Sequence, residues 1–238
     1  MLALSLAALA SSVPNANVEV RIFADHGSNL EDIEYVRDTY YPDAAISTAE
    51  EHISAPSGCW NILAAIKRGY ETGAGKVILL EEDVLVCRGF YDFHLHPNIK
   101  SQPSVLATCG RWSRFNDKYG SLYTNPGSCL HRPLLDRLVC HINDEYFTGL
   151  RSYLDRHFGP WDEMSELDDG LIRRVIRQMG GRAIFPETPV VRHIGWRFYN
   201  KIDIYMNRET DIEKRITRLE EIISTLRPTD RYCQDFEF

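Results

Sequence analysis

Two runs of acidic side chains are spaced so that they could do chemistry. Glu81-Glu82-Asp83 follows directly on the apolar run Val77-Ile78-Leu79-Leu80, and Glu166-Leu167-Asp168-Asp169 precedes a helix-like stretch. Consecutive carboxylates at a strand end repel one another. A divalent cation that prefers hard oxygen ligands would neutralise them and bridge them to phosphate. A solvated acidic turn is the competing explanation. In the second run one Asp suffices as a helix N-cap, a position where Asp is favoured and complements the helix dipole. The other Asp is then surplus, and a carboxylate there can act as a general base. A third group is basic: Arg192, His193, Arg197 and Lys201 gather after Pro189-Val190-Val191, which favours a phosphate neighbour over a purely structural His. His94 and His96 also stand two apart, but Pro97 and the adjoining aromatics predict a loop there, and they receive no role.

The elements that must position these groups follow from periodicity. Leu2, Leu6, Leu9 and Val13 recur at helical spacing and predict a packed helix ending before Pro14; no Lys or Arg precedes Arg21, so the segment lacks the basic opening of a signal peptide. The stretch 18–24 reads as a strand that ends in the polar turn Asp25-His26-Gly27-Ser28-Asn29, and Leu30 to Tyr40 as a helix. Another helix starts at Ser57 with Trp60, Leu63, Ile66 and Tyr70 on one stripe and is stopped by Gly73 and Gly75. Val77 to Leu80 is too short for a helix and suits a strand covered on both faces. Val105 to Cys109 and Arg182 to Phe185 are further strands. Helices are expected over Pro133 to Leu138, Phe147 to His157 and Gly170 to Met179, and an amphipathic one over Asp211 to Leu226. Helices alternating with buried strands predict an α/β fold with a mostly parallel central sheet, and no linker divides the 238 residues, so a single domain is expected.

The balance of 27 basic and 34 acidic side chains gives a net charge of −7, which argues against broad nucleic-acid binding but permits a local basic groove. No stretch approaches the roughly 20 apolar residues of a membrane-spanning helix. The six cysteines form no C-x-x-C pair, which excludes the common zinc-finger spacings; free thiols and a cytoplasmic location are expected. In open α/β sheets, ligands collect at the carboxyl ends of the strands, where Asp25 and Glu81–Asp83 lie.

Taken in order, strand–Asp25–Gly–Ser, a helix bearing Asn61, the apolar strand into Glu81-Glu82-Asp83, and Asp168-Asp169 ahead of a helix resemble the GT-A class of nucleotide-sugar glycosyltransferases. Leu79 to Val86 followed by Gly89-Phe90-Tyr91 is similar to the metal motif of the inverting N-acetylglucosaminyltransferase I group, and Phe185 to His193 to the segment after its catalytic helix. The resemblance spans most of 18–195 and implies a GT-A-like (Rossmann-like) sheet flanked by helices. It implies Asp83 as the direct ligand of Mn²⁺ or Mg²⁺, with His193 as a further metal or diphosphate contact. Asp25, Asn61, Glu81, Glu82 and Arg192 would contact the nucleotide-sugar. Registering from the paired Asp makes Asp168 the base, whereas registering from Arg173 makes it Asp169, which is preferred. Arg111, Trp112, Asn125, Ser128 and Trp196 fall where the acceptor would lie. The chain departs from the family in carrying Glu-Glu-Asp, and in starting inside what reads as the first helix; either the leading strand is absent or another segment supplies it.

The expected reaction is transfer of a sugar from a nucleotide-sugar, with UDP the favoured nucleotide, to an acceptor hydroxyl with inversion. Saccharides are the first acceptor class. A hydroxymethylated base in DNA, as for phage-type glucosyltransferases, is the second, because Arg111, Arg114, Arg173, Arg174, Arg177, Arg182, Arg192 and Arg197 enrich the second half in positive charge. A nucleotidyltransferase and a non-catalytic sugar- or nucleotide-binding module are the rivals.

Overall fold

β3 (Lys76–Leu79) shows how the chain is layered. Val77 and Leu79 join a cluster that includes Leu63 and Ile66, whereas Ile78 and Leu80 join another that includes Leu4, Val84 and Phe90. Alternate side chains of a strand point to opposite faces, so the sheet is clad on both sides, as the continuous apolar run predicts. The computed structural model describes residues 2–12, 18–49, 57–100, 102–110, 123–160 and 165–193.

The central sheet has the order β3-β6-β5-β7, with β5 at Val105–Cys109, β6 at Ser128–His131 and β7 at Arg182–Ile184. β6 is antiparallel to both β3 and β5, while β5 and β7 are parallel. Three strands therefore run one way and β6 alone runs back. A separate parallel pair joins β1 (Arg21–Ala24) to β2 (Ala45–Thr48), and an antiparallel pair joins β4 (Val84–Val86) to β8 (Val191–His193). The result is a mixed α/β fold in which the mostly parallel character holds for the central sheet. No described helix is long and apolar enough to cross a membrane.

The helices are α1 (Leu2–Ser12), α2 (Leu30–Tyr40), α3 (Ser57–Glu71), α4 (Phe90–Leu95), α5 (Pro97–Lys100), α6 (Arg132–Leu138), α7 (Asp144–Thr148), α8 (Leu150–Phe158) and α9 (Asp168–Gln178). α2 starts where expected because the Asn29 side chain accepts a hydrogen bond from the Glu31 amide. Elsewhere the expectations need correction. The strand after α1 is shorter than the expected 18–24, running from Arg21 to Ala24. The helix expected over Phe147 to His157 is two helices meeting at Gly149. His94 lies in α4 and not in a loop: its ring is fully buried against Phe90 and its Nδ1 is 2.6 Å from the Thr108 hydroxyl. The expected helix over 211–226 lies outside the described residues. No disulfide joins Cys59, Cys87, Cys109, Cys129 or Cys140 to another described residue, and Cys233 falls outside the described residues.

Burial, reinforced by the Lys76 charge, pushes His94 down to about 3 and His131 down to about 4, so both are neutral in the fold. An unfolded His takes a proton near pH 6.5, so each stabilises the fold above that pH and loses its contribution as pH falls toward the folded value. Asp168 and Glu81, described below, act in the opposite sense, so the difference between variants is more telling than the whole curve. Between pH 6.5 and 4.5, urea unfolding of the wild type and of His94→Gln should differ by an amount that shrinks by about 1.4 kcal/mol per pH unit as the solution is acidified.

Candidate functional site

The turn after β3 carries the first acidic run. Leu79 ends the strand, and the Val84 amide donates to the Glu81 carbonyl at 3.1 Å, closing a tight turn that throws Glu81, Glu82 and Asp83 to the sheet's end. α1 holds the outside of this turn. The buried Ser5 hydroxyl lies 2.8 Å from the carbonyl oxygens of Glu82 and of Val84 and 3.4 Å from that of Glu81. One hydroxyl proton is shared among three carbonyls, and each buried carbonyl that loses it is exposed to a desolvation cost.

The second run arrives from α9. Its N-cap is Leu167, with no side-chain cap, so Asp168 and Asp169 both sit in the first turn, contrary to the expectation that one of them caps the helix. Their placement depends on Gly170: a Cβ there would lie 1.7 Å from the Ser165 carbonyl oxygen. The approach to α9 therefore runs directly across the helix's first turn. Tyr146 fixes the same approach by donating to the Glu166 carbonyl at 2.8 Å, and the Arg174 guanidinium, 1 % exposed as a residue, donates to the Ser165 carbonyl at 2.8 Å.

These two runs, more than eighty residues apart in sequence, come within electrostatic range of one another. Burial pushes the half-buried Glu81 up to about 8, with further repulsion from Asp83, Asp168, Glu82 and Asp169 in that order. Burial likewise raises Asp168, 5 % exposed, to about 6; Asp169 adds to the shift, while the Asn125 side-chain amide, donating to Asp168 Oδ2, opposes it. The two aspartates are distinct in environment. Asp169 is partly exposed and forms an ion pair of 3.1 Å with Arg173, whose Nε donates to the Tyr123 carbonyl. Cys59 lies beside Asp168, but burial and that charge push its thiol up to about 12, so it is no nucleophile near neutral pH.

β8 brings the third group to the same end. Val190 accepts from the Cys87 amide and donates to the Gly110 carbonyl, each at 2.8 Å, while the Gly110 amide donates to the Gly127 carbonyl at 3.0 Å. Val191 then rests on both glycines; a Cβ on Gly127 would come 2.4 Å from its Cγ1, so the close approach requires glycine there. In this register His193 stands opposite Val84, the residue after Asp83, and Arg192 opposite Leu85. Arg192 is 4 % exposed.

The other expected site residues divide. Asn61 sits on α3 with its Oδ1 buried and without a hydrogen-bond partner among the described residues, and it lines the same cleft as Glu81 and Glu82. Asp25 is exposed at the end of β1, where its Oδ1 accepts from the His26 amide. Asn125 is oriented toward Asp168. Ser128 is fully buried, its hydroxyl 2.7 Å from that of Tyr123, and so serves the core. Arg111, Trp112 and Trp196 lie outside the described residues. Of the arginines that suggested a basic face, Arg174 and Arg192 are buried and Arg173 pairs with Asp169, whereas Arg177 and Arg182 are exposed, Arg182 donating to Gln102; Arg111, Arg114 and Arg197 lie outside the described residues. Ser5, Tyr146 and Gly170 carry no motif. The one sequence signal for them was Gly170 itself, a poor helix former in a helix's first turn.

Among the described residues, no three His, Cys, Asp or Glu side chains stand close enough to form a metal site by themselves. What the arrangement supplies is a surplus of carboxylate oxygens around one half-buried Glu.

Gly170→Ala should displace the approach to α9 and cost about 1–3 kcal/mol, read by urea unfolding. In the same variant the carboxyl carbon of Asp168 should titrate closer to the ordinary Asp range in NMR, because its burial is lost. In sequence, no family model matches the chain, and no curated protein is significantly similar to it.

Proposed function

We propose that the chain is a metal-dependent inverting glycosyltransferase that moves a sugar from a nucleotide-sugar, with UDP the favoured nucleotide, to an acceptor hydroxyl. The observation that carries this reading is the convergence on Glu81 of Asp83, Glu82, Asp168 and Asp169 at one end of the sheet. Carboxylates so arranged have two uses together: one set to hold a cation against a diphosphate, the other to accept a proton.

The residues fit a hard divalent ion in part. Asp83, with Glu81 and Glu82 beside it, supplies oxygen ligands, and the backbone of His193 runs alongside. With no complete protein cage, the remaining positions would fall to diphosphate oxygens and water, which suits Mg²⁺ or Mn²⁺. When bound, the ion supplies Lewis-acid stabilisation of the departing diphosphate.

The residues do the rest. Asn61, through its unpartnered Oδ1, and the nearby Glu82 are placed to accept hydrogen bonds from a ribose or sugar hydroxyl. Asp168 is the better base, although registering from Arg173 favours Asp169. It is buried, sits at about 6, and is oriented by Asn125, whereas Asp169 is held by Arg173. A base with a pKa near the working pH combines the ionised form with a useful proton affinity. The proton it removes from the acceptor hydroxyl is carried on the carboxylate while the oxygen attacks the anomeric carbon opposite the departing diphosphate.

A thermal-shift and product assay with UDP-sugars tests the reading. Stabilisation by donor should require Mn²⁺ or Mg²⁺ and vanish in Asp83→Asn. Asp168→Asn should keep that stabilisation and lose about 10²–10⁴-fold in transfer rate, with Asp169→Asn milder. Release of pyrophosphate instead of nucleoside diphosphate would establish a nucleotidyltransferase, and absence of any metal-dependent donor effect would overturn the proposal.

A further inference from the structure

Tyr153 of α8 is buried, and the partners of its hydroxyl fix the protonation of a histidine outside the carboxylate site. Asn143, the N-cap of α7, accepts from the Tyr146 amide at 3.0 Å. A backbone amide only donates, so the accepting atom is Oδ1 and the other end of the side chain is the donor Nδ2. Nδ2 reaches the Cys140 carbonyl at 2.9 Å and the Tyr153 hydroxyl oxygen at 3.3 Å. The Tyr153 proton then has one acceptor among the described residues, Nδ1 of His141 at 2.9 Å. The tautomer follows: Nδ1 is bare, Nε2 carries the proton, and the ring is neutral.

A second proton on His141 breaks this arrangement. His141 and Asn143 would both donate toward Tyr153, and the Tyr153 proton would lose its acceptor, which is costly for a buried donor. His141 is half-buried and ends the 3₁₀ turn Val139–His141, whose Cys140 carbonyl also holds Asn143. Displacing His141 therefore disturbs both groups that steady the cap of α7. That helix carries Tyr146, whose hydroxyl donates to the Glu166 carbonyl at 2.8 Å and fixes the approach to Asp168.

The surroundings oppose the second proton. Exposed His157 stacks on the Tyr153 ring with centroids 4.1 Å apart, and its ring centre is 5.8 Å from that of His141. Burial, and then the His157 charge, keep His141 below the usual histidine range. Around Tyr153 stand Cys140, Glu145 and Arg156, the last two paired at 2.7 Å; Arg137 and Asp144 lie on the adjoining turns, and Phe158 packs on the His141 ring.

We infer that Tyr153 and neutral His141 form a latch that positions Asp168 through the cap of α7, and that protonation of His141 opens it. The latch concerns where Asp168 is held and not what it does, so it is independent of the proposed activity. An unfolded histidine protonates near pH 6.5 and His141 only below that, so the latch is closed at neutral pH and opens on acidification.

Imidazole ¹⁵N NMR of the wild type at about pH 7.5 should show His141 bare at Nδ1 and protonated at Nε2; the opposite tautomer overturns the inference. His141→Gln offers Tyr153 an amide oxygen that takes no proton. Between about pH 7.5 and about pH 5, exchange of the Tyr146 amide, corrected for its intrinsic rate, should quicken about fivefold in the wild type and stay level in His141→Gln. Tyr153→Phe keeps the ring and removes the hydroxyl. It should show the quicker exchange already at about pH 7.5 and move the titration of the Asp168 carboxyl carbon toward the ordinary Asp range. Equal quickening in the wild type and His141→Gln, or an unmoved Asp168 titration in Tyr153→Phe, would also overturn it.

Discussion

Repulsion between Glu81 and the carboxylates of Asp83 and Asp168 is relieved in a fold without a cation only by protonation or by separation. Separation is denied by the backbone. Ser5 fastens the turn carrying Glu81 from one side, and the approach to α9, pressed across Gly170, fixes Asp168 from the other. Burial is the main reason that proton affinity rises, to about 8 at Glu81, where Asp83 and Asp168 add repulsion, and to about 6 at Asp168, where Asp169 does. The same two tethers hold both carboxyls where water cannot fully solvate them, so a proton is the means by which each lowers its burial cost.

The helix α9 shows how one element serves both stability and chemistry. Leu171, Ile172, Val175 and Ile176 are buried in the larger apolar cluster, which fixes the helix axis. Its first turn then has little freedom, and the two acidic residues differ only in their surroundings. Arg173, one turn on, pairs with Asp169, while Asp168 faces inward to Asn125. Adjacent residues of the same type thus stand in different surroundings, one buried and one ion-paired, a difference no composition or spacing rule encodes.

Much of the frame was legible from periodicity. α2, the body of α3 and β5 fall where the apolar spacing puts them, since each covers a face of a core whose pattern is local. β2, β4, β6 and β8 were not read as strands: they are three or four residues long, and what makes them strands is pairing with partners distant in the chain. α4 was read as a loop because Pro97 and a run of aromatics outweighed its short helical stretch, while burial of His94 against Phe90 supplies the stabilisation that local propensity lacks. At the candidate site, the carboxylates were visible as types in the sequence. The groups that aim them, Ser5 on carbonyls 76 to 79 positions away and Asn125 on a carboxylate 43 positions away, depend on tertiary contact alone.

The neck formed by Gly110, Gly127 and Val190 separates two kinds of change. Gly110 and Gly127, just beyond β5 and just before β6, are joined by a backbone hydrogen bond and seated under Val191, so β5 and β6 meet β8 through a clamp made of backbone and one apolar side chain. Asn125, which orients Asp168, lies inside the loop that this clamp closes, two residues before Gly127. A change at Asn125 therefore reaches Asp168 directly, whereas a change in how β5 and β6 meet β8 has first to open the clamp.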